Sequence, residues 1–161
     1  MILPIIFFVD FRTVMASSHL SVVEFRRFSE NAKIPHKATT GSAGLDLYSA
    51  ERIVVPPFGG KGIVSTELGL KLPANTCGII MSRSGLCIEK SVTVFSGLID
   101  ADFRGPIKLI IFNHGNEEFV VDCNMRLAQI VIYSIIDPLL IETKDLGRTE
   151  PGRHGFGSTG L

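Results

Sequence analysis

Apolar and polar positions change over in short bursts along this chain, and no stretch sustains the spacing of a long amphipathic helix. From residue 52 on, the runs "RIVVPPFGG", "GIVSTELGLKLPANTCGIIM", "SVTVFSGLI", "PIKLIIFNHGN", "EEFVV" and "QIVIYSII" are separated by Gly, Pro and Asn. Runs of this length, rich in Val, Ile and Phe and bounded by turn residues, predict an all-β sandwich, barrel or jelly roll. Only "SRSGLCIEK" (82–90) predicts a helical turn or two, with Ser84 as its capping hydroxyl and Glu89 and Lys90 near its end. No unit recurs at a fixed length, so a solenoid or propeller is not expected.

Both ends depart from this pattern. "MILPIIFFV" is apolar but too short to span a bilayer, and Asp10 and Arg12 follow it at once. It also lacks the basic start of a secretory signal, so neither a membrane partner nor secretion is expected. A second methionine, Met15, opens the more polar "MASSHLSVVEF". Residues 1–22 are read as an N-terminal extension, 23–145 as a β domain and 146–161 as a flexible arm. The arm, "LGRTEPGRHGFGSTGL", has glycine at 147, 152, 155, 157 and 160 and buries too little to fold by itself. It is either a disordered tail or an arm that orders over a ligand. Phe156 favours the second, because a lone aromatic ring there can stack on something flat.

Composition adds three constraints. Lys+Arg and Asp+Glu both number 16, so the chain lacks the basic surplus of a nucleic-acid binder. A hydrophobic content of 45% and a mean hydropathy of +0.33 are high for one domain of 161 residues and leave apolar surface for burial between subunits. Cys77, Cys87 and Cys123 are an odd count without a CxxC pair, which points to free thiols and an intracellular compartment, cytoplasm or nucleus. His19, His36, His114 and His154 show no metal-ligand spacing.

Neither standard phosphate loop, GxxxxGK[ST] or a strand-linked GxGxxG, is present. Three other pieces suit a polyphosphate. "SRSG" sets Arg83 and Ser84 where free N–H groups at a helix start favour an anion, although an Arg-Ser-Gly tripeptide is more often a plain turn. The arm adds Arg148, Arg153, Ser158 and Thr159 as donors. Asp46 in "SAGLDLYSA" and Gln129 in "RLAQI" are polar residues within apolar runs. Each is either a satisfied core group, the usual case, or part of a pair holding waters around a metal. In "SGLIDADFRGP" (96–106), an extended chain would put Asp100, Asp102 and Arg104 on one face and Ile99, Ala101 and Phe103 on the other. That reads either as an exposed hairpin tip with a solvated Asp–Arg pair or, beside a phosphate, as a carboxylate that takes a proton from an attacking water.

Five segments in order, "AGLDLYSA" (43–50), "SRSGLCIEK" (82–90), "SGLIDADFRG" (96–105), "RLAQI" (126–130) and "GFGSTG" (155–160), resemble the motifs of the homotrimeric dUTP diphosphatase family. The likeness runs from about Val23 to the C-terminus and includes "FRRFSENAKIPHKAT". It implies a distorted jelly-roll subunit and a homotrimer whose three active sites are shared between subunits. The implied reaction splits dUTP into dUMP and pyrophosphate with Mg2+, keeping uracil out of DNA and supplying dUMP for dTMP synthesis. By motif, Asp100 would activate the water. Arg83, Ser84 and Gly85 would hold phosphates, and Asp46 and Gln129 would meet the metal only through its waters. A hairpin from Gly97 through Leu98 and Ile99 to about Lys108 would read uracil by its backbone, with the Phe103 ring under the sugar. In the arm, Arg153, Gly157 and Ser158 would close over the nucleotide and Phe156 would stack on uracil.

Three departures from the family pattern stand out. Position 103 is Phe where Tyr is usual, which keeps the ring and loses the phenol. Ser82 replaces a usual proline. The arm's usual arginine, five residues before the phenylalanine, is Pro151, with Arg153 and Arg148 nearby. The altered arm and the C-terminal "STGL", which fits a PDZ-type ligand, leave an alternative: a catalytically weakened interaction module on the same fold. A relative of dCTP deaminase is a third reading, against which the hairpin and arm sequences speak.

Overall fold

The computed structural model of the protein describes residues 22–149. Among them the chain forms β1 (Glu24–Arg27), β2 (Leu45–Tyr48), β3 (Ile53–Val55), β4 (Gly60–Ser65), β5 (Leu68–Lys71) and β6 (Thr76–Ser82). One helix, α1 (Ser84–Lys90), follows, then β7 (Val92–Phe95), β8 (Leu98–Asp100), β9 (Lys108–Asn113), β10 (Phe119–Val121) and β11 (Arg126–Ser134). This is the all-β jelly-roll architecture that the alternating runs predict, with its one short helix where "SRSGLCIEK" places it.

All pairing is antiparallel. The order β2-β11-β6-β8 makes a four-stranded sheet and β4-β9-β7 a three-stranded one, with β1-β5 and β10-β3 as two-stranded ribbons. In β9 the alternation is complete: Leu109 and Ile111 are fully buried, while Ile110 and Phe112 lie on the outer face. Leu109 and Ile111 join Leu47, Val55, Val64, Leu68, Ile107, Leu127 and Ile130 in one core. Burying each such side chain contributes about 1.5–3 kcal/mol. Asn113 ends β9 inside that core and is fully satisfied. Its amide donates to Val55 O (3.2 Å) and Glu117 O (2.8 Å), and its Oδ1 accepts from the Gly115 N–H (3.0 Å).

The outer face of the three-stranded sheet carries an apolar row between polar positions that include Lys61, Thr93 and Lys108. Ile63, Ile110 and Phe95 stand in register across it, with Ile63 and Phe95 exposed. Beyond β11, residues 135–149 form neither helix nor strand, and Ile136, Leu139, Leu140 and Leu146 are exposed.

Two sequence expectations are corrected. The segment from Gly97 to Lys108 is not a paired hairpin: β8 bonds to β6 and β9 to β4 and β7, so the segment crosses from one sheet to the other. Nor is 100–104 extended. β8 stops at Asp100 and a turn follows, closed by Phe103 N–H to Asp100 O at 3.1 Å, so Asp100, Asp102 and Arg104 do not share a strand face. The buried Ile107 explains the first. Its N–H donates to Leu68 O and its carbonyl accepts from Thr66, just beyond β4, which leads the chain into the β4–β9 pairing.

Candidate functional site

Asp46 and Gln129, far apart in sequence, are directly opposite each other on β2 and β11. Their side chains therefore share one face of the sheet. A bridge from His36, whose carbonyl accepts the Asp46 N–H at 2.8 Å, holds β2 from its other edge. Gly44 admits Gln129. A Cβ there would lie 2.7 Å from Gln129 Oε1 and 3.1 Å from its Cβ. Gly44→Ala is expected to turn the Gln129 amide away and to cost about 1–3 kcal/mol of stability, read by urea denaturation.

The next strand, β6, pairs with β11 through Met81–Gln129 and Ser82–Ala128. Ser82, in the usual proline position, clips this end of β6: its hydroxyl donates to Val94 O (3.0 Å) and accepts from Val94 N–H (2.6 Å). The helix begins directly afterwards, and this corrects the expected cap. Arg83 occupies the N-cap position, extended and without a capping side chain, and its carbonyl accepts from Leu86 and Cys87. Because Ser82 is pinned to β7, only Arg83 remains to make the turn. Ser84 is the first helical residue, exposed and not the cap.

Asp46 is only 7% exposed, and its charge is balanced by two arginines. Arg126 Nη1 donates to Oδ2 at 3.1 Å, while Arg83 Nε approaches Oδ1 at 3.8 Å, an ion pair without a hydrogen bond. Arg83 Nη1 also donates to Arg126 O at 3.1 Å. Tyr48 lies beside this group, its hydroxyl bonded to the His36 ring at 3.2 Å. Partial burial, and then the Asp46 carboxylate, push the Tyr48 phenol above its usual pKa, against the opposing pull of Arg126 and Arg83.

Ala38, Asp46, Arg83, Ser84, Gly85, Arg126 and Gln129 line a cavity of about 190 Å³. Five of the seven are residues that the sequence singled out. This cavity is the candidate anion site because it brings two arginines and a helix start to the residues that the sequence singled out.

Arg126 is the residue that sequence reasoning passed over. In a regular strand it would face away from Gln129, three positions on. A β-bulge between Arg126 and Ala128 inserts one residue and turns both toward Asp46. The signal in the sequence is "LA": Leu127 and Ala128 are consecutive and both fully buried, so strict alternation must break there.

The remaining predicted residues are elsewhere. Gly97 takes φ +70°, a left-handed turn that suits glycine, and leads into β8. Leu98 is exposed and Ile99 is buried, so only the backbone of Ile99 is free to contact a ligand. β8 is the sheet's outermost strand, so one edge of its backbone has no strand partner. Asp100 ends it with an exposed carboxylate that has no ion pair or hydrogen bond among the described residues. Phe103 is 41% exposed, and Lys108 is exposed at the start of β9. Asp100 pairs with Cys77 and Gln129 with Met81, four residues apart on β6, or about 13 Å. The phosphate-type cluster and Asp100 thus occupy opposite ends of β6. Arg153, Phe156, Gly157 and Ser158, with Pro151, lie outside the described residues.

The donor set speaks to a metal. One carboxylate, already balanced by arginines, and one amide are too few for a protein cage. No group of three His, Cys, Asp or Glu gathers among the described residues. Such a pair would suit the water shell of a hydrated Mg2+, since this ion keeps several waters.

A family model described as dUTPase matches residues 30–160. A deoxyuridine 5'-triphosphate nucleotidohydrolase of Oryza sativa subsp. japonica is 41% identical over 140 residues, 87% of this chain and 81% of that protein. One from Clostridioides difficile is 40% identical over 141 residues, 86% of this chain and 98% of that protein. Among solved structures, the Staphylococcus bacteriophage 80alpha dUTPase with dUPNHPP superposes with a TM-score of 0.81 at 25% identity, covering 87% of this chain and 99% of its own. A mutant dUTPase of phage phi11 of S. aureus, solved for the coordination of a structural Mg(II) ion, superposes at 0.73 with 25% identity, covering 78% and 98%.

Proposed function

The chain belongs to the dUTPase family and is a dUTP-hydrolysing enzyme, and from that premise we propose that water attacks the α-phosphorus of dUTP, releasing dUMP and pyrophosphate. The observation that carries this reading is the convergence of Asp46, Arg83, Ser84, Gly85 and Gln129, from three distant segments, on one cavity. Arg83 and the Ser84–Gly85 backbone hold phosphate oxygens there, and Arg126 keeps Asp46 in place while Arg83 turns to the nucleotide. Asp46 and Gln129 would hold the water shell of Mg2+, and the ion would supply charge neutralisation on the phosphoryl oxygens.

Asp100 orients the attacking water and takes its proton. As the new P–O bond forms, the bond to the α,β-bridging oxygen breaks, and its electron pair leaves with pyrophosphate. The free edge of β8, from Gly97 to Ile99, reads uracil by backbone hydrogen bonds and excludes a 5-methyl group. The Phe103 ring carries a sugar that lacks a 2′-hydroxyl. From the arm, Arg153 supplies the charge missing at Pro151, Phe156 stacks on uracil, and Gly157 and Ser158 complete the closure.

The active unit is a homotrimer with shared sites. Two observations favour this: the separation of Asp100 from the phosphate cluster along β6, and the exposed apolar surface at Ile63, Phe95, Leu139 and Leu140. The free thiols of Cys77, Cys87 and Cys123 favour an intracellular, reducing setting.

Pyrophosphate release with Mg2+ from dUTP, dTTP, dCTP and UTP tests the reading. Release from dUTP should exceed the others by at least about 100-fold in kcat/KM. No release from a folded trimer would overturn it.

A further inference from the structure

Arg104 stands in a segment rich in carboxylates, yet among the described residues it forms no ion pair with Asp100 or Asp102. Its Nη1 donates instead to two main-chain carbonyls, Ala101 O at 2.7 Å and Phe103 O at 2.9 Å. The Phe103 N–H in turn donates to Asp100 O at 3.1 Å. Asp100, Ala101 and Phe103 are thereby tied into one unit with Arg104 as its clasp. The Phe103 ring is folded against Gly105, where an added Cβ would lie 2.8 Å from Cζ and 3.2 Å from Cε2. The far end of the loop is anchored separately, by Ile107 N–H to Leu68 O at 2.9 Å. Between Asp100 and Ile107 no strand ladder supports the backbone. The side chain of Arg104 therefore does what strand pairing does elsewhere.

We infer that Arg104 is a positioning residue for dUTP hydrolysis: its clasp on the Ala101 and Phe103 carbonyls sets the Phe103 ring at a constant place relative to the Asp100 carboxylate. The inference rests on the roles proposed above for Phe103 and Asp100. Arginine suits the task because one guanidinium nitrogen carries two protons in a fixed plane, enough for two carbonyls, and charged donors make the shorter and stronger bonds. Without the clasp the turn would sample other conformers, and the sugar would sit out of line with the activated water. Small misplacements of this kind lower rate steeply.

The test compares the full chain with Arg104→Gln and Arg104→Lys. Steady-state kinetics on dUTP and UTP with Mg2+ are read alongside amide hydrogen exchange at Phe103 and Ile107. Arg104→Gln should lower kcat/KM for dUTP by about 10- to 100-fold and narrow the dUTP-over-UTP ratio, with Arg104→Lys recovering part of both. The Phe103 amide should exchange about tenfold faster and the Ile107 amide at its original rate, which distinguishes a loosened turn from a destabilised fold. An unchanged nucleotide ratio together with unchanged Phe103 exchange in Arg104→Gln would overturn the inference. Wild-type protein that fails to turn over dUTP, with Phe103 exchange still accelerated by the substitution, would instead sink the functional reading and leave the clasp standing.

Discussion

Asp100→Asn is expected to lower dUTP turnover by about 10²–10⁴-fold, the range that a positioned general base contributes. The side chain is exposed, ends β8 and makes no ion pair or hydrogen bond among the described residues. Its replacement by an isosteric amide therefore removes no contact from the fold. The thermal midpoint should stay within a degree or two of wild type, and a non-hydrolysable dUTP analogue should bind with similar affinity. The amide cannot accept a proton from water at neutral pH, so the loss falls on kcat and leaves KM nearly unchanged. Single-turnover kinetics beside analogue titration separate the two. A kcat within a few-fold of wild type would assign water activation to another group.

Asp46→Asn should act differently, on the metal requirement as well as on rate. Asp46 is buried between Arg126 at 3.1 Å and Arg83 at 3.8 Å, and Gln129 stands opposite it. An asparagine retains one acceptor but leaves two guanidinium groups facing a neutral amide. Loss of a residue that orients a metal's water shell typically costs about 10- to 100-fold in affinity or activity. Here it should raise the Mg2+ concentration needed for half-maximal analogue binding, a readout independent of turnover. The stability cost should be modest, about 1 kcal/mol, because both arginine side chains reach solvent and are screened there. Adding Arg126→Gln should recover that stability and none of the Mg2+ dependence. An unchanged Mg2+ requirement in Asp46→Asn would remove Asp46 from the metal's surroundings.

Much of this molecule is readable before any coordinates. Each apolar run carries the period of its element, so β9 and β11 are evident from "KLIIFN" and "RLAQIVIYS", and α1 from the one stretch without that period. Asp46 and Gln129 are visible as polar intrusions in apolar strands, and their meeting follows once β2 and β11 pair. The expected hairpin at 97–108 failed for a long-range reason. The partner of β8 is β6, about twenty residues earlier, and Ile107, bonded to Thr66 just beyond β4, leads the chain into the other sheet. The Asp–Arg pair in "DADFRG" failed for a local one. A turn at 101–102 rotates Arg104 onto carbonyl oxygens, which are nearer than either carboxylate. The cap at Ser84 moved by a single residue because the Ser82 hydroxyl is held by a strand ten residues further on.

By itself, then, the order of residues determined the strand periods and the single short helix, because each depends on neighbours a few positions apart. Only the tertiary structure decided that Arg126 faces Asp46, that Asp100 lies at the opposite end of β6 from Asp46 and Gln129, and that Arg104 holds carbonyls. The first two depend on register and on one bulge, the third on the turn that the chain takes where it leaves β8. Side chains alternate with a period of two, so a single inserted residue exchanges the faces of everything beyond it, and no local pattern records which distant strand will set the count.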